Sequence, residues 1–241
     1  FFFACGVPVL EGYGMTETAT VATTQTVEDH RLGSVGRALL AQLLAEDGCT
    51  VHALLRRNVP GLPVSSRLAC HRIDFAQPGA LPAADELYIA LGTTLGSAGS
   101  QAAFRAVDLD AVVTVARAAR QAGVARAAVV SALGADAGSR VFYNRVKGEM
   151  EAQLAALGFP RLVFARPSLL AGSRARLDQA SRPGERLALA LLAPIGHLLP
   201  ARLRPIDAAV VARAMRVALR RDGPTLQIID SAELQKLGQP P

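Results

Sequence analysis

The stretch AAVVSALGADAGSRVFYNRVK, residues 127–147, decides the fold. Its first four residues are small and apolar, as in a buried strand, and they run directly into Ser131. From Phe142 to Leu157 apolar side chains recur every three or four residues, which predicts a helix packed on a sheet, with Gly158 ending it. A buried strand followed by such a helix is the building block of a parallel sheet.

The same alternation continues on both sides of this stretch. Strands are predicted at residues 50–55, 68–73, 87–91, 161–165 and 226–229, and helices at 35–45, 101–122, 185–199 and 207–219. Strands that alternate with helices form a parallel sheet covered on both faces. A chain of 241 residues that is 51% apolar has enough core material for one such domain. The predicted fold class is therefore α/β, a doubly wound parallel sheet.

The charge distribution argues against a nucleic-acid partner. The net charge is +6, and 24 of the 26 basic residues are arginines scattered along the sequence rather than gathered in one run. Scattered basic residues are not typical of nucleic-acid binding, although a basic pocket suits a phosphorylated cofactor. The longest apolar stretch, residues 187–199, contains Pro194 and His197 and is too short to span a bilayer, so no membrane span is expected.

The three cysteines, Cys5, Cys49 and Cys70, are far apart in sequence and form no C-x-x-C pair. Their spacing indicates neither a disulfide framework nor a zinc site, so no metal is expected. Because proteins of reducing compartments rarely depend on disulfides, we expect a cytoplasmic location.

Tyr143 and Lys147 are the sharpest chemical signal in the chain. They lie one helical turn apart on one face of the helix that follows Ser131. With three tyrosines and two lysines in the sequence, a chance Y-x-x-x-K is expected only about 0.02 times. An exposed polar pair on a helix surface is the alternative reading. A tyrosine with a reference pKa near 10 can act as a general acid or base when a neighbouring cation favours its phenolate.

Ser131, Tyr143 and Lys147 are therefore the predicted catalytic residues. Lys147 would supply the cation and also hydrogen-bond a cofactor ribose, while Ser131, at the carboxyl edge of the sheet, would hold a substrate carbonyl during hydride addition. A serine after a strand is also a common turn or cap residue, and that role stays open for Ser131.

Gly33 and Gly36, in the run Gly-Ser-Val-Gly at the start of a helix, are predicted to offer backbone N–H groups to a pyrophosphate. With 21 glycines in the chain, a turn or packing role is equally consistent with this short motif. In the full three-glycine pattern, His30 occupies the position of the first glycine, where the tight turn favours a residue that adopts positive φ.

The first strand of the sheet is atypical or replaced. Residues 26–32, which precede the glycine motif, are polar and make a poor buried strand. The apolar segment from Ala4 to Leu10 is a candidate substitute, with Gly12 and Gly14 as a surrogate loop. Glu17 would then stand at the third glycine position and repel phosphate.

Arg56 and Arg57 directly follow the strand at residues 50–55, the second strand of the domain. The 2′-phosphate of a dinucleotide would lie there, and no acidic residue is present to bind a 2′-hydroxyl. This favours NADP(H) over NAD as cofactor. Two solvated surface charges are the alternative interpretation.

Four further residues at strand ends are predicted to contact the cofactor. Asp74, after the third strand, is placed to meet an adenine amino group, and Leu91, Gly92 and Thr93, after the fourth, are placed to line an adenosine pocket. Each is also acceptable as an ordinary loop residue.

Several motifs together resemble the atypical short-chain dehydrogenases related to the HIV Tat-interacting-protein oxidoreductase, over about residues 33–238. The resemblance implies a Rossmann fold, bound NADPH and the roles of Ser131, Tyr143 and Lys147 described above. The motifs are LGTTLGSAG (91–99), Val107-Asp108, VSALGAD (130–136), Tyr143-x-x-x-Lys147, RPSLL (166–170) and RPGE (182–185).

The front of the chain is similar to a different family, the adenylate-forming acyl-CoA synthetases. The similarity rests on GVPVLEGYGMTET (6–18) and RLGSVGR (31–37); in that family the segment matching Tyr13–Glu17 contacts ATP and magnesium. The predicted organisation is accordingly an atypical segment over residues 1–32 and, over residues 33–241, an NAD(P)-binding Rossmann domain with a small substrate-facing C-terminal part.

The leading functional hypothesis is an NADP(H)-binding short-chain dehydrogenase/reductase-like oxidoreductase acting on a carbonyl or alcohol substrate. A non-catalytic NADPH-binding regulatory protein is the alternative, and an acyl-CoA synthetase fragment ranks lowest. A monomer and a homodimer are both compatible with the sequence.

Overall fold

The computed structural model describes residues 2–3, 7–10, 35–59, 61–171 and 200–239. Its strands are β1 (Phe2–Phe3), β2 (Val7–Leu10), β3 (Val51–Leu55), β4 (Leu68–Arg72), β5 (Glu86–Ile89), β6 (Arg126–Val130), β7 (Arg161–Arg166), β8 (Leu170–Ala171), β9 (Ile206–Asp207) and β10 (Leu226–Asp230). Its α-helices are α1 (Val35–Leu44), α2 (Leu95–Ala98), α3 (Gln101–Arg105), α4 (Val112–Gln121), α5 (Phe142–Ala155), α6 (Ala208–Arg220) and α7 (Ser231–Leu237). A π-helix, Ala106–Ala111, joins α3 to α4, and a 3₁₀ turn spans Ala201–Leu203.

Eight strands form one sheet in the order β10-β7-β6-β5-β1-β2-β3-β4. All pairings are parallel except those of the two-residue strand β1. From β2 the chain builds outward through β3 and β4, then returns to β5 and builds the other way. This reversal is the switch point of a doubly wound sheet, beside which ligands bind at the carboxyl ends of the strands. The predicted α/β fold class is confirmed.

The central position of the sheet is held by β2, from the segment proposed as a substitute first strand. Val7 pairs with Val51 of β3, and Val9 pairs with Tyr88 of β5, both in parallel. The substitution is therefore confirmed for Val7–Leu10. Gly12, Gly14 and Glu17 of the surrogate loop lie outside the described residues, and so do His30 and Gly33 of the other glycine pattern.

Most predicted elements are found within two residues of their expected bounds, because their buried faces have a clear apolar period. The predicted helix over 185–199 lies outside the described residues. Residues 101–122 are helical as predicted, but with a π-helical turn in the middle that the apolar pattern does not predict. The short strands β8 and β9 and the final helix α7 were not predicted.

Apolar side chains of the central strands fill the core on both faces of the sheet. Leu87, Tyr88 and Ile89 of β5 are all fully buried, as expected for a strand covered by helices on both sides. Cys70 is free and exposed, whereas Cys49 is disulfide-bonded, a pairing that the cysteine spacing does not predict. Within the described part of the chain, every helix is too short or too polar to cross a membrane.

Candidate active site and cofactor pocket

Ser131 lies where the sequence predicts it, directly after β6 at the carboxyl edge of the sheet. Its backbone N–H donates to the Ala165 carbonyl of β7 at 2.7 Å, which continues the parallel pairing by one residue. The residue is only 4% exposed, and its side-chain Oγ has no hydrogen-bond partner among the described residues. A buried hydroxyl without a partner is costly, and such a group is expected where a ligand supplies the missing bond.

Tyr143 and Lys147 lie on α5, one turn apart as predicted. The Tyr143 side chain is half-buried, and its ring packs on that of Phe104 with centroids 5.6 Å apart and planes tilted by 53°. Phe104 is fully buried in α3, so the phenol is held by a rigid neighbour. Tyr143 and Lys147 thus share the face of α5 that turns toward α3 and the π-helix.

Lys147 forms a buried ion pair with Asp108. Its Nζ lies 2.7 Å from Asp108 Oδ1, and the two side chains are 4% and 1% exposed. The other carboxylate oxygen, Oδ2, accepts the backbone N–H of Thr93 at 2.7 Å. Asp108 therefore joins the loop after β5 to the helix that carries the predicted catalytic residues.

The surroundings of Lys147 keep its ammonium charged. Burial alone would lower its pKa, but the Asp108 carboxylate, followed by Tyr143 and Glu151, raises it above the ordinary lysine value. The cation that the sequence predicts beside Tyr143 is therefore present on the same face of α5.

Asp108 is the residue that sequence reasoning missed. It lies in the π-helix Ala106–Ala111, where the extra residue per turn changes the direction in which successive side chains point. Isolated π-helical turns occur preferentially at functional sites. The signal for Asp108 in the sequence is the Val107-Asp108 motif. Its partner Lys147 lies 39 positions further along the chain, so the sequence alone does not connect the two residues.

A second ion pair lies one turn further along α5. Arg166, the last residue of β7, donates from Nε to Glu151 Oε1 at 2.9 Å and from a terminal nitrogen to Oε2 at 2.5 Å. The hydrogen bond with Glu151 raises the pKa of Arg166. Glu151 is 6% exposed, so this bidentate contact satisfies the hydrogen-bonding needs of a buried carboxylate beside the predicted active site.

A cavity of about 450 Å³ gathers three of the predicted cofactor residues. Arg56, Asp74 and Leu91, which follow three different strands, all line it because the carboxyl ends of parallel strands meet at one edge. The other lining residues come from the loop after β4 and from the π-helix and its flanks: Phe75, Ala76, Ala106, Val107, Asp110, Ala111 and Thr114.

The remaining predicted cofactor residues have other positions. Arg57 is exposed and is not among the residues that line the cavity. Thr93 and Gly92 lie at the Asp108–Lys147 pair, where a Cβ on Gly92 would stand 3.3 Å from Asp108 Oδ1 and 3.8 Å from Lys147 Nζ. Gly36 is buried in the first turn of α1.

Comparison with known proteins agrees with this architecture. A protein family described as NAD(P)H-binding matches residues 32–158, which include Ser131, Tyr143 and Lys147. Among solved structures, a UDP-N-acetylglucosamine 4-epimerase from Bacillus cereus covers 93% of this chain and is covered over 78% of its own, with a TM-score of 0.60 and 14% identity. MoeE5 in complex with UDP-glucose and NAD covers 92%, is covered over 74%, and has a TM-score of 0.56 with 16% identity. At such identities these structures show the fold alone.

Curated relatives are more similar in sequence. Protein FMP52, mitochondrial, from Eremothecium gossypii is 32% identical over 189 residues, which are 78% of this chain and 84% of the relative. The protein of the same name from Aspergillus fumigatus is 39% identical over 194 residues, covering 76% and 81%. These relatives are named as mitochondrial proteins, so the prediction of a cytoplasmic location, which rested on cysteine spacing alone, is wrong. By its family match and these relatives, the chain belongs to the NAD(P)H-binding family, and its sheet order is that of a Rossmann-like fold.

Proposed function

We propose that this protein is an NADP(H)-dependent oxidoreductase that reduces a carbonyl or oxidises an alcohol. The observation that carries the proposal is the buried Ser131 Oγ at the carboxyl edge of the sheet, which has no hydrogen-bond partner within the part of the chain that the structure describes. The helix that follows it in the chain carries Tyr143 and the ion-paired Lys147. A hydroxyl that donates to the carbonyl oxygen, a phenol that gives a proton and a cation that stabilises the resulting phenolate can together carry out carbonyl reduction.

Within the NAD(P)H-binding family, we place the chain with the atypical short-chain dehydrogenases related to the Tat-interacting-protein oxidoreductase. The motifs around Leu91–Gly99, Val107-Asp108 and Tyr143–Lys147 support this placement. The names of the curated relatives also lead us to infer a mitochondrial location. The division at residues 32 and 33 stays a prediction.

The described residues fit a dinucleotide. The cavity of about 450 Å³ would take the adenosine end, with Arg56 facing the 2′-phosphate and Asp74 the adenine amino group. The absence of a side chain at Gly92 lets the loop after β5 lie close to the Asp108–Lys147 pair. Bound NADPH would supply the hydride that adds to the substrate carbon.

The residues of the protein have distinct roles in this proposal. Ser131 Oγ donates a hydrogen bond to the carbonyl oxygen and so favours the negative charge that develops there as hydride adds to carbon. The phenol of Tyr143 then gives its proton to that oxygen, which completes the alcohol. Lys147 lowers the energy of the phenolate left behind, and the reverse sequence oxidises an alcohol.

Substitution of Tyr143 by Phe tests the proposal. The variant keeps the ring packed on Phe104 but has no proton to give, so substrate-dependent NADPH oxidation is expected to fall by at least about 100-fold. The rate is measured by loss of nicotinamide absorbance over a panel of aldehydes and ketones.

NADPH binding to the same variant, followed by nucleotide fluorescence and thermal shift, is the control and is expected to be unchanged. Full turnover by Tyr143→Phe would contradict the assignment of the phenol as proton donor.

A non-catalytic NADPH-binding regulator is the second candidate. The observation that favours it is the near-complete burial of Lys147, whose side chain is 4% exposed and already paired with Asp108. A regulator would bind NADPH with unchanged affinity in Tyr143→Phe and would turn over no member of the carbonyl panel. An acyl-CoA synthetase fragment stays the lowest-ranked hypothesis, and the segment Tyr13–Glu17 on which it depends lies outside the described residues.

A further inference from the structure

We infer that Asp108 is a positioning residue that holds Lys147 in place and keeps it ionised for the phenol of Tyr143. This inference rests on the proposed function for its catalytic consequence, but the pairing itself can be measured on the protein without turnover. Asp108 lies in the π-helix Ala106–Ala111, so the contact with Lys147 gives this irregular turn a structural role.

The geometry assigns each oxygen of the Asp108 carboxylate a separate contact. Oδ2 accepts the Thr93 N–H at 2.7 Å, and Oδ1 lies 2.7 Å from Lys147 Nζ. The carboxylate is therefore fixed on one side by backbone and can fix the flexible lysine on the other. Because a lysine side chain has several rotatable bonds, this contact removes most of the freedom that would let the ammonium leave the phenol.

The charges around Lys147 show why Asp108 is needed. The groups that act on it are Asp108 from the π-helix, and Tyr143 and Glu151 from its own helix α5. Glu151 is already held by Arg166 through two hydrogen bonds, which leaves Asp108 as the carboxylate in direct contact with the ammonium. A lysine this closed to water and deprived of its counter-ion loses its proton at a lower pH.

The π-helix supplies the direction of the contact. In a π-helix each turn contains an extra residue, so side chains over Ala106–Ala111 point differently from those of the flanking helices α3 and α4. Asp108 and its neighbour Leu109 are both buried in this turn, whereas Asp110 is exposed and lines the proposed adenosine cavity. The same turn thus contacts both the cofactor pocket and Lys147.

Substitution of Asp108 by Asn removes the negative charge and keeps nearly the same side-chain shape. The amide oxygen can still accept the Thr93 N–H, so the loop after β5 keeps its anchor, but the counter-ion of Lys147 is gone. The chain has two lysines, Lys147 and Lys236, and Lys236 is exposed on α7. Protein labelled with ¹³C-lysine therefore gives two signals, of which that of Lys147 reports on the ion pair and that of Lys236 serves as an internal reference. In the native protein the Lys147 Cε signal is expected to titrate above the ordinary lysine range, because the Asp108 carboxylate raises the pKa of Lys147.

In Asp108→Asn the Lys147 signal is expected to titrate at least about one pH unit lower, while that of Lys236 stays unchanged. Asp108→Glu, which keeps the charge, should retain most of the native behaviour. Glu149→Gln is the matched control, because Glu149 is a carboxylate on the same helix that pairs with Arg105 rather than with Lys147. It is expected to leave the Lys147 titration unchanged.

Gly92→Ala provides a second route to the same measurement if Asp108→Asn does not fold. Its added methyl would stand 3.3 Å from Asp108 Oδ1 and 3.8 Å from Lys147 Nζ, so the ion pair must adjust by a few tenths of an ångström without any change of charge. A lower Lys147 titration in either variant supports the inference. An unchanged titration in a folded Asp108→Asn or Gly92→Ala overturns it.

The catalytic consequence is a shift in the pH profile. In Asp108→Asn the alkaline loss of kcat is expected to move to lower pH in step with the Lys147 signal, with little change in KM, since the residue does not contact substrate. A lower Lys147 titration in a protein that turns over no carbonyl would leave the positioning of Lys147 intact and refute the proposed oxidoreductase function. The two failures are therefore distinguishable.

Discussion

At the scale of single residues, Lys147 and Ser131 are both buried and polar, but they differ in whether the described part of the protein supplies a partner for the side chain. Lys147 has its charge matched inside the protein by Asp108, whereas the Ser131 hydroxyl has no partner among the described residues. A buried group that the fold leaves unsatisfied is costly, and it is retained where a ligand completes it. Under the proposed function, Asp108 holds Lys147 in its charged form, and the Ser131 hydroxyl would bind the substrate.

Arg56 and Arg57 offer a test of cofactor choice at this scale. Arg56 lines the cavity of about 450 Å³ and Arg57 does not, so Arg56→Ala is expected to raise the Kd for NADPH roughly tenfold or more by removing a charge-assisted contact with the 2′-phosphate. NADH lacks that phosphate, and its affinity should be unchanged. Fluorescence titration with both nucleotides measures the effect.

Arg57→Ala is the matched control for that titration. It removes the same charge one residue away and is expected to change NADPH affinity less than about twofold. Equal losses in both variants would mean that general basic charge, rather than Arg56 in the pocket, determines the preference.

At the scale of elements, helix α5 is pressed against the loop that leaves β6. The Asp136 N–H donates to the Asn144 carbonyl at 3.0 Å, and the loop backbone at Asp136 and Ala137 reaches the helix at Gly148. A Cβ at Gly148 would stand 2.1 Å from the Ala137 nitrogen, a distance that backbone atoms cannot tolerate. This glycine, adjacent to Lys147, lets the loop after Ser131 and the helix of Tyr143 approach closely.

Gly148→Ala is therefore expected to destabilise the fold by about 2 kcal/mol or more, because the helix and the loop must separate. Chemical denaturation measures the change. Gly96→Ala is the control, since its Cβ would meet nothing within 4 Å and its φ is not positive. Comparable losses in the two variants would show that the close approach at Gly148 does not limit stability.

At the scale of the whole molecule, a network of charges joins helix α6 to the sheet and to the end of α1. Arg220 of α6 donates to Glu86 of β5 at 2.9–3.1 Å and to Glu46, just after α1, at 2.8 Å. Glu86 is 2% exposed, and it also accepts the Tyr88 hydroxyl at 2.8 Å. The network lies at the amino ends of the strands, away from the proposed active site, so its role is in stability.

Arg220→Met is expected to lower the free energy of unfolding by roughly 2 kcal/mol, since it leaves Glu86 buried with less of its charge matched. Arg126, 3.1 Å from Glu86, limits the loss. Arg105→Met breaks an exposed pair with Glu149 and should cost less than about 1 kcal/mol. Urea denaturation of both variants tests the ranking, which a larger loss in Arg105→Met would reverse.

The sequence by itself determined the alternation of strands and helices and the pairing of Tyr143 with Lys147 on one helical face. It also placed Ser131, Arg56, Asp74 and Leu91 at strand ends. These features are local, because burial leaves a period of two or of about 3.6 in the apolar pattern and a strand end is marked by the residues that follow it.

Only the tertiary structure decided that Val7–Leu10 fills the central position of the sheet and that Asp108 meets Lys147. The first depends on pairing with β3 and β5, some 44 and 79 positions downstream when Val7 is matched to Val51 and Val9 to Tyr88. The second depends on a π-helical turn that no apolar period marks. Contacts between distant segments are selected by the packing of the whole core, and they leave no periodic trace in either segment alone.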